Sequence, residues 1–300
     1  MRRVFVPALT GLMLCVCAPS VLAEDVSLKQ GDLTLMGNLE LAQGKKPADG
    51  MILITHGTLA HNRMEIIANL QKLLKDKGYN SLAINLSYAQ DKRPSAMYDC
   101  PTPHFHKHTD AVEEIGAWVG WLKSQGARDV VVVGHSRGGN QTARYVAGAP
   151  DAVVSKAVLL APATWTAGYN EKDYKERYGV DLKPLVGKAQ TLVKEGKGRE
   201  LIDMSFIYCE GTRASADAVL SYYLDDPKMD TPTLLPEVKV PTLVVVAGED
   251  SVVKGLREGA SAKADGKKVQ VVTIDGADHM FMDLYIEEAA DKLVEFTKAK

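Results

Sequence analysis

A serine hydroxyl is a poor nucleophile until a base takes its proton, so the residues around each serine decide whether it can do chemistry. In this 300-residue sequence, Ser136 stands in Gly134-His135-Ser136-Arg137-Gly138. The run 130–133 before it is four valines, and 137–147 after it has helical spacing. The pattern Gly-x-Ser-x-Gly is weak evidence alone, but a strand running in and a helix running out is what a nucleophile elbow needs. Small flanking residues permit a strained turn that lifts the hydroxyl above the sheet edge. The helix that follows points its first N–H groups and its positive end at any oxyanion formed there. The competing reading, a dinucleotide-binding turn, requires a Gly-x-Gly-x-x-Gly that the chain lacks. A base is available downstream in Gly276-Ala277-Asp278-His279-Met280, and a carboxylate to orient it, Asp250, follows the apolar run 240–247. Asp275 and Asp278 read as loop residues that set the turn.

These three side chains must be brought together by the elements between them. Apolar runs at 51–55, 81–86, 130–133, 156–161, 240–247 and 269–274 read as buried strands, and 33–41 alternates loosely as an antiparallel one. Helical spacing appears at 63–75, at 111–124 with Asp110 as its cap, at 137–147, at 253–264 and at 284–297. Short apolar runs alternating with helices imply βαβ units and a mostly parallel central sheet with helices on both faces. Loops at the carboxyl ends of parallel strands gather at one edge, where Ser136, Asp250 and His279 can meet. The rhythm breaks over 162–237, which shows no clear strands but holds six of the eleven tyrosines. Some 75 residues are too many for a structureless loop. The expectation is a mainly helical cap inserted into a core of 24–161 and 238–300, with most aromatics in the cap's own core and a few on a pocket wall.

With those motifs in place, the chain resembles the α/β-hydrolase superfamily over most of residues 33–300, as an exported enzyme of serine esterase or lipase type. Ile52-Leu53-Ile54-Thr55-His56-Gly57-Thr58 is similar to the family's strand ending in His-Gly, and the order Ser136, Asp250, His279 is the family's. The resemblance implies an oxyanion hole formed by a backbone N–H of Thr58 or Leu59 and by that of Arg137. Leu59, His135 and Met280 adjoin these loops and are expected to touch substrate. In one departure, Gly248-Glu249-Asp250 is a residue shorter than the family's Gly-x-x-Asp, although Asp250-Ser251-Val252-Val253 fits its Asp-x-x-Val; Asp250 is preferred to Glu249. The implied activity is hydrolysis of a carboxylic ester-like bond through an acyl-enzyme, with no cofactor. The same groups would serve an amidase or peptidase, and a non-catalytic envelope binding protein on a hydrolase scaffold is a further alternative. A small-molecule ester or amide is the expected partner.

His104, His106 and His108 are the other conspicuous group. No cysteine or carboxylate is fixed beside them by spacing, so a surface or cap-facing loop is expected rather than a metal site. Tyr98 and the turn Cys100-Pro101-Thr102-Pro103 are expected to form a pocket wall.

Arg2 and Arg3 followed by an uncharged stretch to Ala18, then Val21-Leu22-Ala23, read as a secretory signal peptide over 1–23, too short for a membrane span. The protein is therefore expected in the periplasm or secreted, by the general or the twin-arginine route, with no integral span after cleavage. Cleavage leaves Cys100 and Cys209, an even number in an oxidising compartment, and a bridge between them is expected on that ground. Lys and Arg total 36 against 38 Asp and Glu, and cleavage removes two of the former. So little positive charge excludes a general nucleic-acid binder.

Overall fold

The computed structural model describes residues 23–299. The signal peptide expected over 1–23 thus lies outside the described residues, save Ala23. The valine run belongs to strand β5 (Val130–His135), whose side chains alternate between two cores: Val130 and Val132 pack on one face of the sheet, Val131 and Val133 on the other. A strand buried on both faces needs no polar alternation, which explains its uninterrupted apolar sequence. Burial on both faces likewise holds for β3 (Met51–Thr55), β4 (Ser81–Asn85) and β9 (Thr242–Ala247), and for β6 (Val154–Leu160) from Ala157 onward.

With β1 (Glu24–Gln30), β2 (Leu33–Glu40) and β10 (Val269–Ile274), they form an eight-stranded sheet in the order β1-β2-β4-β3-β5-β6-β9-β10. β1 and β2 are antiparallel and the pairs from β4 to β10 parallel. Helices α1 (Glu65–Asp76) and α9 (Tyr285–Lys298) cover one face, burying Ile66, Leu70, Leu74, Ile286 and Leu293. Helices α2 (Asp110–Ser124) and α3 (Arg137–Ala147) cover the other, where Trp118 and Val146 join the larger core. This is the expected α/β architecture. No helix among the described residues is long and apolar enough to cross a membrane.

Residues 162–237 contain α4 (Tyr169–Tyr178), α5 (Lys183–Lys194), α6 (Ala216–Tyr223) and the short α7 (Thr231–Leu234). The reading of no strands here is corrected. Strands β7 (Leu201–Phe206) and β8 (Cys209–Ser215) form an antiparallel hairpin. Ile202, Met204 and Phe206 alternate inward, but the turn is Ile207-Tyr208, without the Asn-Gly or Asp-Gly that announces a hairpin, and Ile207 takes a positive φ of 56°. Two helix limits also differ. The last turn before α8 (Leu256–Ser261) is not helical, because the Asp250 carboxylate accepts the Val252 and Val253 amides. Asp110 lies inside α2, whose cap is Thr109, and accepts from the Lys107 amide upstream.

A disulfide joins Cys100 to Cys209 across 109 residues, with the Cα atoms 5.1 Å apart. It fastens the cap hairpin to the loop before α2. The His104 amide and carbonyl extend that attachment by pairing with the Arg213 carbonyl and Ser215 amide of β8.

Candidate active site

β3, β5, β9 and β10 run parallel, so the loops after them share one sheet edge, and there the expected residues meet. Ser136 sits at φ 56°, ψ −123°, between β5 and α3. The turn depends on its glycines: a Cβ at Gly134 would run into the Gly138 carbonyl and Thr142, and one at Gly138 into the His56 carbonyl. Ser136 Oγ is 2.9 Å from His279 Nε2, and His279 Nδ1 is 2.7 Å from Asp250 Oδ2. An ionised carboxylate only accepts, so Nδ1 carries the imidazole proton and Nε2 is left to accept the Ser136 O–H. Burial opposes ionisation of Asp250, but the bonds from His279 and the Val253 and Val252 amides outweigh it and hold the carboxyl below its ordinary range. Glu249 is exposed, and its amide donates to the Ala277 carbonyl; it is Asp250 that meets His279. Asp278 Oδ1 accepts the Met280 and Met282 amides and so shapes the turn that presents His279.

The loop after β3 lies against the serine: a Cβ on Gly57 would stand 3.2 Å from Ser136 Cβ. Thr58 is half-buried, and its amide donates to no acceptor among the described residues. The Arg137 amide is in the first turn of α3, where helical N–H groups have no partner within the helix. The two amides therefore stand available near the hydroxyl.

This loop is braced from behind by a residue that sequence reasoning missed. Arg93 is buried, and its guanidinium donates to the carbonyls of Leu86, Ala96 and Ala60 and to Asn85 Oδ1. Held by these neutral oxygens and 3.3 Å from His56 Nε2, Arg93 is a tether, and nothing in its sequence neighbourhood, eight residues past the end of β4, marks it as one. His56 Nε2 accepts the Leu86 amide, and burial together with the Arg93 charge pushes its pKa down to about 3. It is a neutral brace.

A cleft of about 610 Å³ opens over Ser136. Its walls are Thr58 and Arg137, residues 163–166, Tyr169, Asp173, Arg177 and Tyr208 of the cap, and residues 251–254 after β9. Leu59, His135 and Met280 are not on these walls. Leu59 is in the core, its carbonyl accepting the Tyr98 amide; Met280 packs with the α1 and α9 core. His135 is buried, held near pKa 4 chiefly by burial, and donates from Nε2 to the His279 carbonyl at 2.9 Å. It positions the base rather than touching substrate. Tyr98 is likewise buried and absent from the wall. Among the cap aromatics, Trp165, Tyr169 and Tyr208 reach the cleft, whereas Phe206 and Tyr222 meet edge to face in the buried core.

Of the two places expected for the three histidines, the structure gives the cap-facing one: they are interior and packed against the cap, not on the surface. His104 Nδ1 lies 3.0 Å from His106 Nε2, and His106 Nδ1 lies 2.9 Å from the Tyr222 hydroxyl. Among the described residues no cluster of His, Cys, Asp and Glu is arranged to hold a metal.

A family model described as "Alpha/beta hydrolase family" matches residues 52–296. No curated protein matches the chain. Among solved structures, Est1E from Butyrivibrio proteoclasticus with ferulic acid bound superposes at TM-score 0.65 and 19% identity, covering 91% of this chain and 97% of its own. The alpha/beta hydrolase GrgF from Penicillium sp. sh18 gives 0.65 at 16%, with 93% and 98% covered. An esterase from Pyrococcus furiosus gives 0.59 at 19%, with 92% and 90% covered. At such identities each likeness is one of fold.

Proposed function

This chain belongs to the alpha/beta hydrolase family, and from that premise we propose that it is a serine hydrolase cleaving a carboxylic ester-like bond through an acyl-enzyme. The observation that carries the reading is the unbroken hydrogen-bonded series from Ser136 Oγ through His279 to Asp250, at 2.9 and 2.7 Å, beneath an open cleft. Ser136 attacks the substrate carbonyl while His279 Nε2 takes its proton, and Asp250 holds the tautomer and stabilises the imidazolium. The tetrahedral oxyanion is received by the amides of Thr58 and Arg137. His279 returns the proton to the leaving group, and water, deprotonated by the same imidazole, releases the acyl group. No cofactor enters these steps.

The cleft, about 610 Å³ and bounded on one side by the cap, supports a small-molecule ester or amide as substrate. We further propose that the protein is exported and acts in the periplasm or outside the cell. The Cys100–Cys209 disulfide supports that reading, because such bonds persist in oxidising compartments.

Labelling with a fluorophosphonate tests the reaction. The wild type is expected to be labelled and to release nitrophenol from 4-nitrophenyl butyrate, and Ser136→Ala to do neither. A folded wild type that takes no label would overturn the proposal.

A further inference from the structure

Arg137 supplies more to this site than a backbone amide. Arg137 lines both the cleft above Ser136 and an adjoining cavity of about 80 Å³ under the cap, and its guanidinium has three neighbours. Nε donates to Thr58 Oγ1 at 3.0 Å, Nη1 lies 3.5 Å from His108 Nδ1, and the group stands over the Tyr222 ring, 5.3 Å from its centroid. All three neighbours are neutral. Asn140 Nδ2 donates to the Lys228 and Met229 carbonyls, so Asn140 Oδ1 accepts from His108 Nε2, which leaves His108 Nδ1 as an acceptor facing Arg137. Burial, reinforced by the Arg137 charge, holds the His108 pKa well below its ordinary value. Burial likewise pushes the Tyr222 hydroxyl well above its own.

Among the described residues no carboxylate lies within ion-pair reach of Arg137, and its side-chain bonds are made by Nε and Nη1, with no acceptor meeting Nη2. The contrast with its fellows is informative. Arg144 and Arg177 meet Asp226 and Asp173, and Arg93 is saturated by oxygens. A half-buried cation that is held in a fixed direction by neutral acceptors yet left without a counter-charge is costly unless something else supplies one. The rest of the cleft wall agrees. It carries Arg177 and Lys254 against Asp173 alone, in a chain whose net charge is −2.

We propose that the substrate carries a carboxylate a few atoms from the scissile carbonyl and that the Arg137 guanidinium receives it, while the amide of the same residue faces the oxyanion. The inference rests on the serine-hydrolase reading and names its substrate class: half-esters of dicarboxylic acids, or esters of hydroxy acids. The free edge of the guanidinium suits a planar carboxylate. Asp173 on the same wall disfavours a doubly charged phosphate.

The test compares matched pairs: 4-nitrophenyl hemiglutarate with 4-nitrophenyl butyrate for an acyl-side anion, and 4-acetoxybenzoate with 4-methylphenyl acetate for an alcohol-side one. Wild type is expected to favour the anionic member of at least one pair by about tenfold or more in kcat/KM, equivalent to about 1.4 kcal/mol. Arg137→Gln should collapse that ratio, Arg137→Lys should keep part of it, and added salt should erode it. Glutarate should also inhibit the wild type about tenfold better than glutaramide, a readout that does not depend on any variant folding. Equal or better turnover of the neutral member in both pairs overturns the inference. So does an Arg137→Gln variant that slows both members equally, which would assign the side chain to the oxyanion or to the loop. If wild type takes the fluorophosphonate label but shows no preference, only this inference falls. If it takes no label, the underlying reading falls with it.

Discussion

Ser136 holds a backbone conformation, φ 56° and ψ −123°, that L side chains adopt at a cost of about 1–3 kcal/mol and glycine adopts freely. The strain is the means of raising Oγ to His279. Ser136→Gly is therefore expected to abolish activity and yet raise stability by about 1 kcal/mol, seen as a higher urea midpoint at unchanged m-value. Ser136, Asp250 and His279 were legible in the sequence because each follows an apolar run in a glycine-marked loop. The side-chain roles of Arg137 and His135 were not. A motif reports backbone requirements, while the uses of Arg137's guanidinium and His135's imidazole depend on Thr58, His108 and the His279 carbonyl, distant in the chain. Arg93 illustrates the same gap: nothing in a local window tells a tether from a solvated arginine.

At the scale of elements, the loop between Asp99 and Asp110 places His104, His106 and His108 inside the protein, and His56 after β3 and His135 at the end of β5 are buried as well. Burial is the leading cause of every one of their lowered pKa values: His56 to about 3, His104 and His135 to about 4, His106 and His108 well below 6.5. A histidine whose folded pKa is depressed binds more protons unfolded. Its contribution is fully present above pH 6.5 and is lost as the pH falls toward 4. Each such group contributes a slope of up to about 1.4 kcal/mol per pH unit in that window. Glu114, raised by burial to about 7 against its bonds from Ser87, acts in the opposite sense, losing stability as pH rises from 4.5 to 7. Five groups outweigh one. Urea unfolding between pH 7 and 4.5 should show a steep fall in stability, and a flat profile would contradict the assigned neutral states. The parallel strands were readable because burial on both faces gives uninterrupted apolar runs. β1 and the cap hairpin were missed, although Val26 and Leu28 in the first, and Ile202, Met204 and Phe206 in the second, alternate as strands do. A period of two over so few residues is a faint signal without a turn sequence to mark it.

For the whole molecule, the bond between Cys100 and Cys209 ties cap to core. Closing a loop of this size restricts the unfolded chain, and a Cys100→Ala, Cys209→Ala variant is expected to lose about 2–5 kcal/mol, measured by urea unfolding under non-reducing conditions. The bridge also makes residues 100–209 a covalent ring. Ser136 lies inside that ring; Asp250 and His279 lie on the tail that leaves it. A single protease cut at the exposed stretch 195–197 of the cap would open the ring without releasing either piece, because the sulfurs still join them. Such a clipped protein should run as one band on a non-reducing gel, as two bands after dithiothreitol, and keep its serine, base and acid on one sulfur-linked particle.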